Sequence, residues 1–230
     1  MNEPAALRPA ATIVLLREGD RGPEVWLMER ARSVGFMPSA WVFPGGRVDP
    51  ADHDAPTVGG DFAVAPAEFW VAALRELSEE AGVVLRDGPA WDLRGVRVWA
   101  RWITPEVEPR RFDTWFFAAR LPEGATPVVD GQEATRGGWY RPADAVAFAQ
   151  AGELPVAPPT LRTLQELLPH PSVGAVLAAP RRTPPIMPKF QQSGGATFVL
   201  LPGDPDHPSP DAVEPPWRYE FAAGRWWARG

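Results

Sequence analysis

Arg75-Glu76-Leu77-Ser78-Glu79-Glu80-Ala81-Gly82-Val83 closes the clearest helical segment of this chain. Upstream, Trp70, Ala73, Leu74, Leu77 and Ala81 recur at three- and four-residue spacing, which gathers them on one apolar face of a helix over residues 66–81. Pro66 suits the first turn, where its missing N–H costs nothing, and Gly82 suits the C-terminal cap. The other face carries Glu76, Glu79 and Glu80, with Glu68 two turns earlier. Glu76 and Glu80 stand at i, i+4 and Glu79 adjoins both, a repulsion of about 0.2–0.5 kcal/mol per pair that Arg75 offsets only in part. A divalent cation reverses the sign, because carboxylate oxygens are the hard ligands Mg²⁺ prefers. A solvated acidic face accounts for the three glutamates equally well, and only the order of the residues around them separates the two readings.

The composition narrows the chemistry from the other side. The chain has 230 residues, a formal net charge of −6, no cysteine, three histidines and a single lysine, Lys189. Disulfides, thiolate metal sites and cysteine nucleophiles are excluded. One lysine leaves little scope for Schiff-base chemistry, and no phosphate loop of the G-x-x-x-x-G-K-[ST] type occurs. Carboxylates, hydroxyls, arginines and bound metal remain. The acidic balance argues against nucleic acid and anionic membrane as partners. No apolar run approaches the roughly 18 residues of a membrane span, and the start, Met1-Asn2-Glu3-Pro4, does not read as a signal sequence. A cytoplasmic location is the resulting expectation.

Around the helix, Thr12–Leu16, Val25–Met28 and Trp41–Phe43 read as short strands, the first two paired across the turn at residues 19–22. Residues 49–61, rich in Asp, Pro and Gly, read as an exposed loop. Strands are expected at 95–102, 113–119 and 138–140, and helices at 142–151 and 160–168. Strands with few helices point to an α+β fold with a mixed sheet. Twelve of the 62 residues from Pro169 onward are proline. Residues 169–230 therefore read as an extension of a 1–168 domain, packing on the core or a partner and too poor in periodic segments to fold alone. It contains a terminal hairpin at Arg218–Phe221 and Arg225–Trp227.

The string from Arg75 to Val83, with Pro44-Gly45-Gly46 upstream, resembles the Nudix box, G-x5-E-x7-R-E-U-x-E-E-x-G-U with U a bulky apolar residue. Arg75, Glu76, Leu77, Glu79, Glu80, Gly82 and Val83 match every fixed position of its second half, and Gly46 fits the opening glycine. The first half departs. Asp52 stands where the box has its first glutamate, and 22 residues rather than seven separate it from Arg75. Glu68 lies one position from where backward counting would place that glutamate, so Asp52 and Glu68 both qualify. Arg101–Pro105, Arg111–Thr114, Phe36-Met37-Pro38 before Trp41–Gly46, and Ala157–Thr160 look like the Nudix branch with an inserted box that includes animal peroxisomal coenzyme A diphosphatases. Leu27-Met28-Glu29-Arg30-Ala31-Arg32 only faintly echoes the bacterial coenzyme A signature.

The resemblance implies an α/β/α sandwich of the Nudix fold and metal-dependent hydrolysis of a diphosphate in a nucleoside diphosphate linked to another moiety. CoA or acyl-CoA comes first as substrate, with ADP-ribose, dinucleotides and nucleotide sugars as alternatives and a non-catalytic nucleotide-binding module as the rival class. Mg²⁺ or Mn²⁺ would be held by Glu76, Glu79, Glu80 and the Gly46 carbonyl, with a strained Gly45-Gly46 turn admitting the close backbone approach. Arg75 would orient Glu79, and the general base would be Glu79 or Glu133. Arg110 and Arg111 could clamp a phosphate, with Asp113 a partner for one of them, and Trp41 or Phe112 could stack a base. Nudix relatives are often dimers, so a homodimer is a further expectation.

Overall fold

The computed structural model describes residues 3–31 and 38–229. Strands β1 (Leu7–Gly19) and β2 (Gly22–Arg30) form an antiparallel hairpin, and two short strands, β3 (Trp41–Val42) and β4 (Gly45–Arg47), pair with β2 and β1. A 3-10 turn at Pro50–Asp52 and β5 (Thr57–Val58) lead to helix α1 (Ala67–Ala81). Pro66 caps this helix at its N-terminus rather than sitting inside its first turn, and Gly82 closes it at φ 65°, the left-handed region open to glycine. Next come β6 (Arg86–Asp87), β7 (Ala90–Asp92), β8 (Arg97–Ile103), β9 (Arg111–Arg120), β10 (Ala134–Tyr140), α2 (Pro142–Ala151) and α3 (Pro158–Leu167). The remainder supplies α4 (Val173–Ala178), β11 (Pro185–Ile186), β12 (Lys189–Ser193), β13 (Ala196–Leu200), β14 (Arg218–Ala222) and β15 (Arg225–Arg229).

The main sheet runs β10-β2-β1-β9-β8-β11. It is mixed: β1 and β9 are parallel from Leu7↔Arg111 to Leu16↔Arg120, whereas β1–β2 and β8–β9 are antiparallel. Period-two alternation divides the apolar residues between two layers. Ala11, Ile13 and Leu15 of β1, with Trp115 and Phe117 of β9, pack under α1. Val14, Leu16, Phe116 and Ala118 face the other way, toward α2, α3, α4 and the tail. This is the expected α+β sandwich, with α1 alone on one face. No helix among the described residues is long and apolar enough to cross a membrane.

Three expectations need correction. The inserted stretch 49–61 is not a bare loop, because Asp52 is buried and β5 joins a small sheet ordered β5-β7-β6. The 169–230 segment is richer in structure than its proline content suggests. β12-β13-β14-β15 form a four-stranded antiparallel sheet, and β11 extends the main sheet beside β8. Its strands are short and end in turns with positive φ at both central residues, Gly194-Gly195 and Ala223-Gly224, the type I′ geometry that suits a right-twisted hairpin. Five-residue strands leave too little sequence for a period to declare itself. Finally, Asp113 pairs with Arg101, at 2.9 and 2.7 Å, and not with either neighbouring arginine. Arg32, Phe36 and Met37 lie outside the described residues.

Val199, Leu201 and Tyr219 of the tail share one apolar cluster with Leu161 and Leu164 of α3. Arg162, 3% exposed, spans the joint. It donates to the Pro216 carbonyl at 2.8 Å and the Glu214 carbonyl at 2.7 Å, and Glu166 lies 2.9 Å from its Nε.

Candidate functional site

The glutamate face of α1 lies against β4 and the 3-10 turn. β4 is held by β1 in the register Ala11↔Gly46 and Thr12↔Gly45, so the two glycines are extended strand and carry no positive φ. The expected strained turn is absent. Glycine is needed here for space: a Cβ on Gly46 would collide with the Glu76 carboxylate, and one on Gly45 with Thr12 and the Ala11 carbonyl. The backbone thus sits directly on the acidic face, and the Gly45 N–H donates to Glu80 Oε2 at 2.7 Å.

Arg75 organises the rest. Its Nε and Nη2 donate to the two carboxylate oxygens of Asp52 at 3.0 and 3.1 Å, its Nη1 forks to Glu76 and Glu79 at 2.9 Å each, and Nη2 also reaches the Arg47 carbonyl at 2.8 Å. Asp52, 2% exposed, additionally accepts from the Asp49 N–H at 2.8 Å. Burial works against the Arg75 charge, but the Asp52 hydrogen bond and its acidic neighbours outweigh it and hold the guanidinium ionised. Asp52, not Glu68, is therefore the carboxylate that meets Arg75. Glu68 is half-buried in the first turn of α1.

Burial raises Glu76, with Arg75 opposing and the charges of Glu79 and Glu133 adding to the rise. Burial likewise pushes Glu80 up to about 8, against the Gly45 hydrogen bond and with Glu76 and Glu133 reinforcing the shift. Glu133 therefore stands close enough to act on both. Asp130, which the sequence reading overlooked, presents it: the Asp130 carboxylate accepts from the N–H groups of Gln132, Glu133 and Ala134 at 3.1–3.2 Å, and the Glu133 carbonyl accepts from Ala31 at 2.8 Å. The Asp130-Gly131 pair is the turn signal that announced it.

A pH dependence follows from Glu80. Its folded pKa lies above the unfolded value, so between about pH 4.5 and 8 the unfolded chain gives up this proton while the folded chain keeps it. Stability from this group is complete below that window and declines as pH rises through it. Melting temperatures in EDTA should fall from pH 6 to 8, and excess Mg²⁺ or Mn²⁺ should flatten the slope.

The remaining candidates are scattered. Arg111 is buried and donates to the Thr104 and Ala5 carbonyls at 3.1 and 3.2 Å, so it is a strut of the fold rather than an available clamp. Register places it opposite Leu7, four residues along β1 from the Ala11 that pairs with Gly46, roughly 13 Å at strand rise. Arg110 is exposed in the preceding loop. Phe112 alternates with Phe116 onto the face away from α1. Trp41, 5% exposed, packs edge-on against Tyr140 at 5.4 Å in that same layer, leaving no ring face for a base. Among the described residues no three Asp, Glu or His side chains converge as a metal-holding group. Arg75 Nη1 holds Glu76 and Glu79 together, whereas the Gly45 N–H holds Glu80.

The family described as NUDIX domain matches residues 6–163. Nudix hydrolase 7 of Caenorhabditis elegans is 30% identical over 192 residues, 70% of this chain and 60% of its own. Acyl-coenzyme A diphosphatase NUDT19 of Xenopus laevis is 23% identical over 227 residues, 63% of this chain and 59% of its own. The chain thus spans about three-fifths of the length of each. The crystal structure of a NUDIX hydrolase from Alicyclobacillus acidocaldarius superposes with a TM-score of 0.69 at 29% identity, covering 78% of this chain and 99% of that one.

Proposed function

The chain belongs to the Nudix family, and from that premise we propose that it hydrolyses the diphosphate of a nucleoside diphosphate joined to a second moiety, with CoA or acyl-CoA the first substrate to test. The observation that carries this reading is Glu80: a buried carboxylate with one backbone donor, acted on by the charges of Glu76 and Glu133 and, among the described residues, bonded to no cationic side chain. Leaving a carboxylate so placed is costly without a counter-charge. The hard oxygens of Glu76, Glu79 and Glu80 are the donor type that Mg²⁺ or Mn²⁺ prefers, and the Gly46 backbone lies against Glu76. Such an ion supplies neutralisation of the diphosphate oxygens and a water acidic enough to attack near neutral pH.

The protein's own residues do the positioning. Asp52 fixes Arg75, and Arg75 fixes Glu76 and Glu79 relative to each other. Gly45 and Gly46 keep the approach free of side-chain bulk. Two carboxylates compete to take the proton of the attacking water. Glu79 is engaged by Arg75, whereas Glu133 carries no bonded cation among the described residues, which favours Glu133. Geometry comes first in such an assignment, and the pH profiles of Glu79→Gln and Glu133→Gln distinguish the two.

The acyl-coenzyme A diphosphatase named among the relatives supports placing CoA first. A binding module that does not cut is favoured by one observation: among the described residues the three glutamates do not converge as a metal-holding group, Glu76 and Glu79 being tied to Arg75 and Glu80 to the Gly45 N–H. Incubation with Mg²⁺ or Mn²⁺ and CoA, acyl-CoA, ADP-ribose, NADH and nucleotide sugars, read by mass, decides between them. The expected products from CoA are 3′,5′-ADP and phosphopantetheine. Turnover no faster than that of Glu80→Gln across the whole panel rejects hydrolysis for these substrates.

A further inference from the structure

The face of the main sheet away from α1 carries an opening of its own. A cavity of about 930 Å³ lies between Trp99 of β8, Arg162 and Glu166 of α3, and the tail residues 180–184 and 210–216. That volume is within the range of small-molecule sites. Trp99 belongs to the layer opposite α1, so the sheet separates this cavity from Glu76, Glu79 and Glu80. Its buried side is over-supplied with positive charge. The Glu166 carboxylate serves two guanidiniums at once, Arg181 through Nη2 and Arg162 through Nε at 2.9 Å. Arg181 also donates to the Trp99 carbonyl at 2.9 Å and lies 3.7 Å over the Trp99 ring. Arg182 follows it, exposed and without an ion-pair partner among the described residues.

Two buried donors line the same cavity. The Trp99 indole N–H and the Arg162 Nε–H make no hydrogen bond among the described residues, and a donor left so is costly. Six prolines supply much of the remaining wall, apolar rings that bring no N–H and sharpen the local field. Asp211 and Glu214 also line the cavity, but both are exposed, where water and salt screen them.

We propose that this cavity binds a small polyanion, a phosphate or polycarboxylate held by the Arg181 and Arg182 guanidiniums, at a site separate from the glutamates. Planar guanidinium forks meet carboxylate or phosphate oxygens two at a time. Such an occupant neutralises the surplus cation beside Glu166 and brings oxygens to the side where Trp99 and Arg162 lack acceptors. It would also tie α3 to the 210–216 segment, where Arg162 already caps the Glu214 and Pro216 carbonyls. Nothing in this reading depends on diphosphate cleavage.

The test is titration of citrate, and separately of inorganic phosphate, into the isotope-labelled full chain in EDTA. Nuclear magnetic resonance reads the site through the Trp99 indole N–H, assigned with Trp99→Phe. The expected result is saturable movement of that resonance by at least one anion, with Trp26, on the α1 side, unmoved. The tighter of the two names the anion class. Arg182→Glu and Arg181→Gln should each weaken binding by about 10-fold or more, the range of a hydrogen bond to a charged group. Asp211→Asn combined with Glu214→Gln should tighten it, because two opposing charges are gone. Wild-type affinity in Arg182→Glu overturns the proposal, as does weaker binding in the Asp211 and Glu214 double variant. A Trp99 resonance that neither anion moves overturns it too. Should Arg181→Gln fail to fold, Arg182→Glu, altered at an exposed side chain, carries the test.

Discussion

Glu80→Gln is expected to cut turnover by about 10²–10⁴-fold and, in the same protein, to raise the melting temperature in metal-free buffer at pH 8. The first effect follows from the proposed function: one charged oxygen donor would be lost from the proposed cation site, where a Lewis acid contributes several kcal/mol, at about 1.4 kcal/mol per decade. The second follows from burial. Glu80 is pushed up to about 8 by burial, so raising the pH toward that value places a buried charge in the folded state that the site does not neutralise. Glutamine keeps the shape and drops the charge. The gain over wild type should shrink toward pH 5, where wild-type Glu80 keeps its proton in the folded state, and should vanish in saturating Mn²⁺. Paired thermal melts and steady-state kinetics check both halves. A variant that loses activity and stability together would point to a structural glutamate instead.

Asp52→Asn should destabilise the chain by about 2–3 kcal/mol and lower kcat more than it raises KM. Breaking a buried ion pair costs about 3–5 kcal/mol, and the discount reflects the partners Arg75 retains in Glu76, Glu79 and the Arg47 carbonyl. The kinetic effect is indirect: without its anchor, Arg75 no longer holds Glu76 and Glu79 at a fixed separation. Glu68→Gln, by contrast, should fall within about 0.5 kcal/mol of wild type, as surface changes do. Urea denaturation of the two variants, with kinetics on CoA, gives the comparison. Equal losses would mean that the insertion has not transferred the role of the first box glutamate to Asp52.

Much of this was legible beforehand because it is written in local pattern. The 3.6-residue period of Trp70, Ala73, Leu74, Leu77 and Ala81 placed α1 to within a residue, and the helix expected at 142–151 coincides with α2. Glutamate order within one helix is likewise local, so Glu76 and Glu80 share the face of α1 that meets β4, with Glu79 beside them on Arg75. Other features depend on how distant segments meet. Whether Asp52 or Glu68 reaches Arg75 is decided by the path of the fifteen inserted residues, which no spacing encodes. Arg110 and Arg111 are indistinguishable as text, but strand β9 starts at the second, and the pleat drives that one inward onto backbone carbonyls. That the Arg30 Nε–H meets no acceptor among the described residues is a property of what surrounds it, and a sequence does not list surroundings.

The seam between α3 and the tail has a practical consequence for anyone cutting this chain. The family match stops at residue 163, one position after Arg162, whose guanidinium is capped by carbonyls more than fifty residues downstream. A fragment ending at that boundary would cut α3 short, bare Leu161 to water, strip β8 of its neighbour β11, and leave the Arg162 cation with nothing to hold. Such a fragment presents an open strand edge beside a greasy floor, the combination that recruits other copies of itself. The segment that the family matches is shorter than the span that shares one apolar cluster, and expression trials should respect the longer one.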